Sequence, residues 1–220
     1  RFAYPLDDDG SNPDVPISSF KDNFKSVLSM ISVAPDTGRL KVAFQVLLPG
    51  IDMDLARAGK GKSHGWMFFT CYNSEQAHTL LEVNASQKDK DFIGALNWKK
   101  AEEYVKAGKG RRSKSKYLHN VWDEKTQSAT STVETETIVL DPKELKDLIY
   151  FMPCPKSPHG CDTDPTGSYI VGSGKLAALI PVFSFDKMQK AIAAKDYEGD
   201  FAGIPVLKYA SVLHGEVKKP

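Results

Sequence analysis

The 220 residues carry 29 Lys+Arg against 28 Asp+Glu, a net charge of +1, with 41% hydrophobic and 26% charged residues. That balance leaves no electrostatic footprint for nucleic acid or an anionic membrane, and it lies far from the compositions that stay disordered. The longest mostly apolar run, 176–185, is too short to span a bilayer and holds a proline, so no membrane span is expected. Three cysteines, Cys71, Cys154 and Cys161, form neither a CxxC pair nor an even disulfide set. The chain begins at Arg1 without an initiator Met or signal-type segment and stops at a basic GEVKKP, which leads us to expect a piece of a longer protein.

In chain order, residues 1–18 read as a loop because DDDGSNPDVP is rich in turn formers. Residues 26–48 alternate apolar and polar side chains on both sides of Pro35-Asp36-Thr37-Gly38, the pattern of a β-hairpin. GWMFFTCYN (65–73), TLLEVNA (79–85) and DFIGALNW (91–98) are β-favouring runs. KKAEEYVKAG (99–108) then switches to helical spacing, with Gly108 as its stop. The basic stretch GKGRRSKSK (108–116) reads as a solvated loop, and SATSTVETETIVL (128–140) as a Thr/Val-rich strand.

The strand-then-helix unit returns at an offset of 87 residues in LIPVFSFDKMQKAIAAKDY (179–197), where Phe185 matches Trp98 and Ile192 matches Val105. Before it, DPTGSYIVGSGKLAALIPVF (164–183) reads as turn, strand, turn, strand. Short strands with regular turns cannot bury both faces alone and must stack, so the expected class is all-β, a β-propeller with short helical insertions.

Two segments join metal-competent side chains to tight turns. Residues 70–89 gather Tyr72, Asn73, Glu75 and Asp89, hard oxygen donors of the kind that suit Ca²⁺. Residues 153–167 hold His159 between Pro158 and Gly160, where a restrained backbone suits an imidazole ligand, with Cys161 either a second ligand or a small buried side chain. Taken alone, the acidic loop reads as a solvated loop and the histidine as a turn residue. His64, His78, His119 and His214 show no ligand pattern, and neither a GxSxG elbow nor a complete P-loop occurs.

At these two segments the sequence resembles the nitrous-oxide reductase family, nearest to its Sec-exported second branch: CYNSE (71–75) with Asp89 on one side, SPHGCDTDPTG (157–167) and the following SYIVGSGKL on the other. The resemblance implies a periplasmic copper enzyme that reduces N₂O to dinitrogen and water in denitrification. His159 would be a ligand of its tetranuclear copper–sulfide centre, and Tyr72, Glu75, Val83, Asp89 and Ser157 would hold calcium. Val83 and Ser157 stand where the better-known branch has Met and Asn. A carbonyl ligand tolerates the first change, whereas the second exchanges an amide oxygen for a shorter hydroxyl.

The resemblance further implies a partial seven-bladed propeller, with residues 1–220 lying inside the N-terminal propeller domain. The C-terminal cupredoxin domain with its binuclear copper is absent from these residues, as are the other histidine segments. A homodimer and a cytochrome c or cupredoxin electron donor are implied for the intact enzyme, and this piece is not expected to be active alone. A second class of reading is a non-catalytic periplasmic propeller that binds a protein partner, in which His159 is merely a turn residue.

Overall fold

The computed structural model describes residues 2–5, 26–38, 40–48, 52–72, 91–123 and 128–219. The described residues are mostly β, in three sheets with few helices. The strands are β1 (Phe2–Pro5), β2 (Ser26–Val33), β3 (Leu40–Leu48), β4 (Asp52–Ala58), β5 (Trp66–Tyr72), β6 (Phe92–Asn97), β7 (Arg111–Asp123) and β8 (Ser128–Leu140). They continue as β9 (Ile149–Pro153), β10 (Pro158–Thr163), β11 (Tyr169–Gly174), β12 (Leu179–Ser184), β13 (Tyr197–Phe201), β14 (Ile204–Leu207) and β15 (Leu213–Lys218). Helices α1 (Trp98–Lys106), α2 (Phe185–Ala194) and the single turn α3 (Tyr209–Val212), with a 3-10 turn at Gly61–Ser63, complete the described elements. No helix among the described residues is long and apolar enough to cross a membrane.

The hairpin expected at 26–48 is β2–β3, closed by the Gly38 N–H on the Ala34 carbonyl at 2.8 Å. Segment 1–18 is not wholly loop, since Phe2–Pro5 pairs with β2; the rest of that segment, and the run at 79–85, lie outside the described residues. The basic stretch 108–116 is corrected too. From Arg111 onward it is strand, paired in register with β8, and Arg112 meets Glu136 at 2.7 Å. Its charges are answered by acidic residues across the ladder, which makes a strand of what looks like a solvated run.

The repeat at offset 87 is a repeat of structure. Strand β6 runs into α1 and β12 into α2, with Asn97 Oδ1 and Ser184 Oγ capping the two helices by accepting the N–H of Lys100 and Lys187. Trp98 and Phe185 open the helices and are buried at matching positions. The periodicity extends to whole sheets. β4-β5-β6-β9 and β10-β11-β12-β15 are each four strands joined by antiparallel pairings. In both, the chain between the third and fourth strands makes a helix and then a hairpin. Each hairpin leaves its own sheet and extends the preceding one by a parallel pairing: β8 joins β3 at Gln45↔Val139, and β14 joins β9 at Val206↔Phe151.

The middle sheet is buried on both faces, which explains the largely apolar, aromatic run of β5. Met67, Phe69, Phe92, Leu96 and Phe151 pack with Leu28, Phe44 and Val46 of the first sheet. Trp66, Phe68, Ile93 and Met152 pack with Ile170, Phe183 and Met188 of the third sheet and its helix. At the free edges of the middle and third sheets, β4 and β10 run beside each other, with Arg57 and Lys60 reaching Asp162 at 3.9 and 3.5 Å. The loops after them interlock through the Lys62 N–H on the Thr166 carbonyl at 2.9 Å. Gly167, at φ +70°, closes this clasp, because a Cβ there would sit 1.8 Å from the Lys60 carbonyl oxygen.

Candidate functional site

The proposed calcium residues bracket one end of the β5–β6 pair. Tyr72 is the last residue of β5, and the ladder partner of Cys71 is Phe92, so the chain leaves β5 and re-enters β6 at a common stem. Glu75, Val83 and Asp89 belong to the span between and lie outside the described residues. Ser157 does come to that stem. Its N–H donates to Asp91 Oδ1 at 2.7 Å, while the Asp91 carbonyl accepts the Cys154 N–H at 2.9 Å. Ser157 is buried, with φ of +58°, and its carbonyl accepts the Lys175 N–H at 2.7 Å. A left-handed backbone favours Asn over Ser, so the Asn that the resemblance implies for this position would have a conformational reason beside any ligand role. Asp91 carries no signal in the sequence beyond standing two residues after Asp89.

His159 is exposed on β10, and the strand is irregular at that residue. Pro158 lies opposite Gly174 and Gly160 opposite Ser173, so His159 is the extra residue of a β-bulge. A bulge turns a side chain out of the ordinary alternation and leaves backbone groups off the ladder. The His159 carbonyl accepts the Thr70 hydroxyl of β5, at 3.3 Å. The segment expected to be a turn is therefore an edge strand, in which Pro158 occupies the first position, where a proline is tolerated.

Of Cys161's two readings the structure supports burial. Its Sγ lies 4.0 Å from the Leu55 carbonyl, and burial, followed by the nearby Asp162, pushes the thiol up to about 12. Burial likewise raises Cys154 to about 12 and Cys71 well above the usual thiol range, so at neutral pH all three are packed thiols. Among the described residues no three His, Cys, Asp or Glu side chains gather as a metal-binding group. His64 is set edge-on to Trp98 at 5.3 Å and His214 lies against Tyr169 at 4.6 Å. His119 stands opposite Ser131 in the β7–β8 ladder, and His78 lies outside the described residues.

No protein-family model matches the chain. It is 28% identical over 166 residues to the nitrous-oxide reductase of Stutzerimonas stutzeri, covering 74% of this chain and 22% of that protein. With the nitrous-oxide reductase of Pseudomonas fluorescens the identity is 26% over 155 residues, covering 70% of this chain and 21% of the relative. Among solved structures, Kuenenia stuttgartiensis hydrazine synthase aligns with a TM-score of 0.45 and 11% identity over 88% of this chain and 46% of that one, a likeness too loose to carry an argument. The chain spans about a fifth of the length of the curated relatives it matches. It is distantly related to nitrous-oxide reductases.

Proposed function

We propose that these residues are consecutive blades of the propeller of a copper-dependent nitrous-oxide reductase, with His159 one ligand of its catalytic copper centre. The observation that carries this reading is the 2.7 Å bond from Ser157 to Asp91, which ties together the two segments of the resemblance across 66 residues. The propeller reading draws support from the two four-stranded meanders and their matching helix-and-hairpin insertions.

An exposed imidazole on a bulge, restrained by proline and by a buried hydroxyl, suits one position of a multi-histidine copper site. Copper, when bound, supplies the electrons that break the N–O bond, with the balance N₂O + 2H⁺ + 2e⁻ → N₂ + H₂O. The chain's own task is to hold the His159 ring in place. The remaining histidines, the binuclear copper that receives electrons from a cytochrome c or cupredoxin, the homodimer and the periplasmic location belong to the same proposal for the parent protein. Purified parent protein, given a reduced viologen dye, is expected to oxidise two dye molecules per N₂O consumed and to contain copper. A copper-loaded parent that leaves N₂O untouched overturns the reading.

Tyr72, Glu75, Val83, Asp89 and Ser157 are proposed to hold calcium, the hydroxyl of Ser157 or a water on it replacing an amide oxygen. Ligand binding to the folded state alone stabilises it by about 2.7 kcal/mol at about 100-fold over Kd. Stripping calcium from the parent with a chelator is expected to remove a stabilisation of that order in denaturant melts, and adding calcium back to restore it. Superimposable melts with and without chelator count against the calcium assignment.

A further inference from the structure

Thr70 is the polar exception on an apolar strand. It lies in WMFFTCY, is fully buried, and shares its face of β5 with Trp66 and Phe68. Its hydroxyl lies where two strand irregularities meet. On β4 the register slips between Met53, opposite Cys71, and Ala56, opposite Phe69, so Leu55 falls inside a bulge. On β10 the bulged residue is His159. Bulges take backbone groups off the ladder, and a buried group left unpaired is costly.

One threonine hydroxyl has one proton to give and two lone pairs to receive. Thr70 Oγ1 accepts the Leu55 N–H at 3.2 Å and donates to the His159 carbonyl at 3.3 Å, with the Leu55 carbonyl at 3.5 Å. The bond to His159 crosses from the middle sheet to the third, over 89 residues of chain. This hydroxyl restrains the His159 carbonyl from across the two sheets, and thereby the direction of the His159 Cα–Cβ bond.

We propose that Thr70 is a positioning residue for His159: its hydroxyl pins the two bulges together and sets the aim of the imidazole toward the metal. This rests on the reading of His159 as a copper ligand. A valine at position 70 keeps the shape and removes the hydroxyl; a serine keeps the hydroxyl and removes the methyl.

The experiment uses the parent protein purified with its metals, comparing Thr70→Val, Thr70→Ser and, as a control on the underlying reading, His159→Ala. Copper per chain, the visible and EPR spectra of the copper centre, and hydrogen exchange of a peptide covering residues 158–163 are measured together with a melt. Thr70→Val is expected to melt cooperatively, to exchange faster at 158–163, and to lose copper affinity about 10-fold, the lower end of what removing a supporting hydrogen bond costs. Thr70→Ser is expected to restore copper and spectra. Should Thr70→Val fail to fold, the comparison passes to Thr70→Cys, whose weaker donor is expected to give copper content below that of Thr70→Ser. Parental copper, spectra and exchange in a folded Thr70→Val, or in Thr70→Cys in its place, overturn the positioning role even while His159→Ala loses copper. If His159→Ala itself keeps its copper, the ligand reading fails first and the positioning role falls with it.

Discussion

His159→Ala in the parent protein is expected to lose the catalytic copper and its N₂O reduction while the fold survives. The side chain is exposed on a bulged edge strand, so its removal empties no core, and substitutions at such positions usually change stability by no more than about 0.5 kcal/mol. Changing only a supporting partner of a ligand costs about 10- to 100-fold in affinity or activity, and removing the ligand itself is expected to exceed that range. Copper analysis beside a melt separates the two effects: copper and turnover collapse while the melt stays in place. Turnover close to the parent's would remove His159 from the centre and leave it a bulge residue of an edge strand.

Phe151→Ala is the substitution expected to destabilise most. The side chain is fully buried at the middle of β9, its ring stacked on Phe92 at 4.8 Å between centroids and 13° between planes, with Phe201 edge-on at 6.2 Å. Truncating a buried phenylalanine removes its transfer free energy and leaves a cavity, together about 3–5 kcal/mol. Phe151 is also the residue opposite Val206 where β14 joins the sheet, so the cavity opens where the inserted hairpin docks. Denaturant melts of the parent check the value, and Phe151→Leu is expected to lose clearly less. A loss below about 1 kcal/mol for the alanine variant would mean that this face is not packed in the folded protein.

Local patterns were the legible part. The β2–β3 hairpin, the aromatic strand β5 and the strand-helix unit at offset 87 each declare themselves within about twenty residues, because alternation, aromatic content and helical spacing are short-range signals. What escaped depends on distant partners. β7 looks like a solvated basic loop until Glu136 is known to lie opposite Arg112's neighbourhood in the ladder. β10 carries Pro158, Gly160 and Asp162 and reads as a turn, yet an edge strand accommodates a proline at its start and a bulge beside it. β4, with Asp52, Asp54 and Arg57, is likewise an edge strand whose charges hide its pairing. At the site, His159 and Ser157 were visible as residue types in a restrained segment. Asp91 and Thr70 were not, since each acts on a backbone more than sixty residues away.

The hand-over of each inserted hairpin to the preceding sheet lays the sheets like overlapping roof tiles. The outer edge of β9 is covered by β14, which the ribosome makes about fifty residues later, and β3 waits still longer for β8. During synthesis each sheet therefore carries a bare edge until its successor arrives, an opening for wrong pairing between nascent chains. Once the tile is down, the earlier sheet cannot open along that edge without lifting its neighbour's hairpin. Damage in one unit is thereby felt in the unit before it, and the bulge that carries His159 inherits its steadiness from chain made on both sides of it.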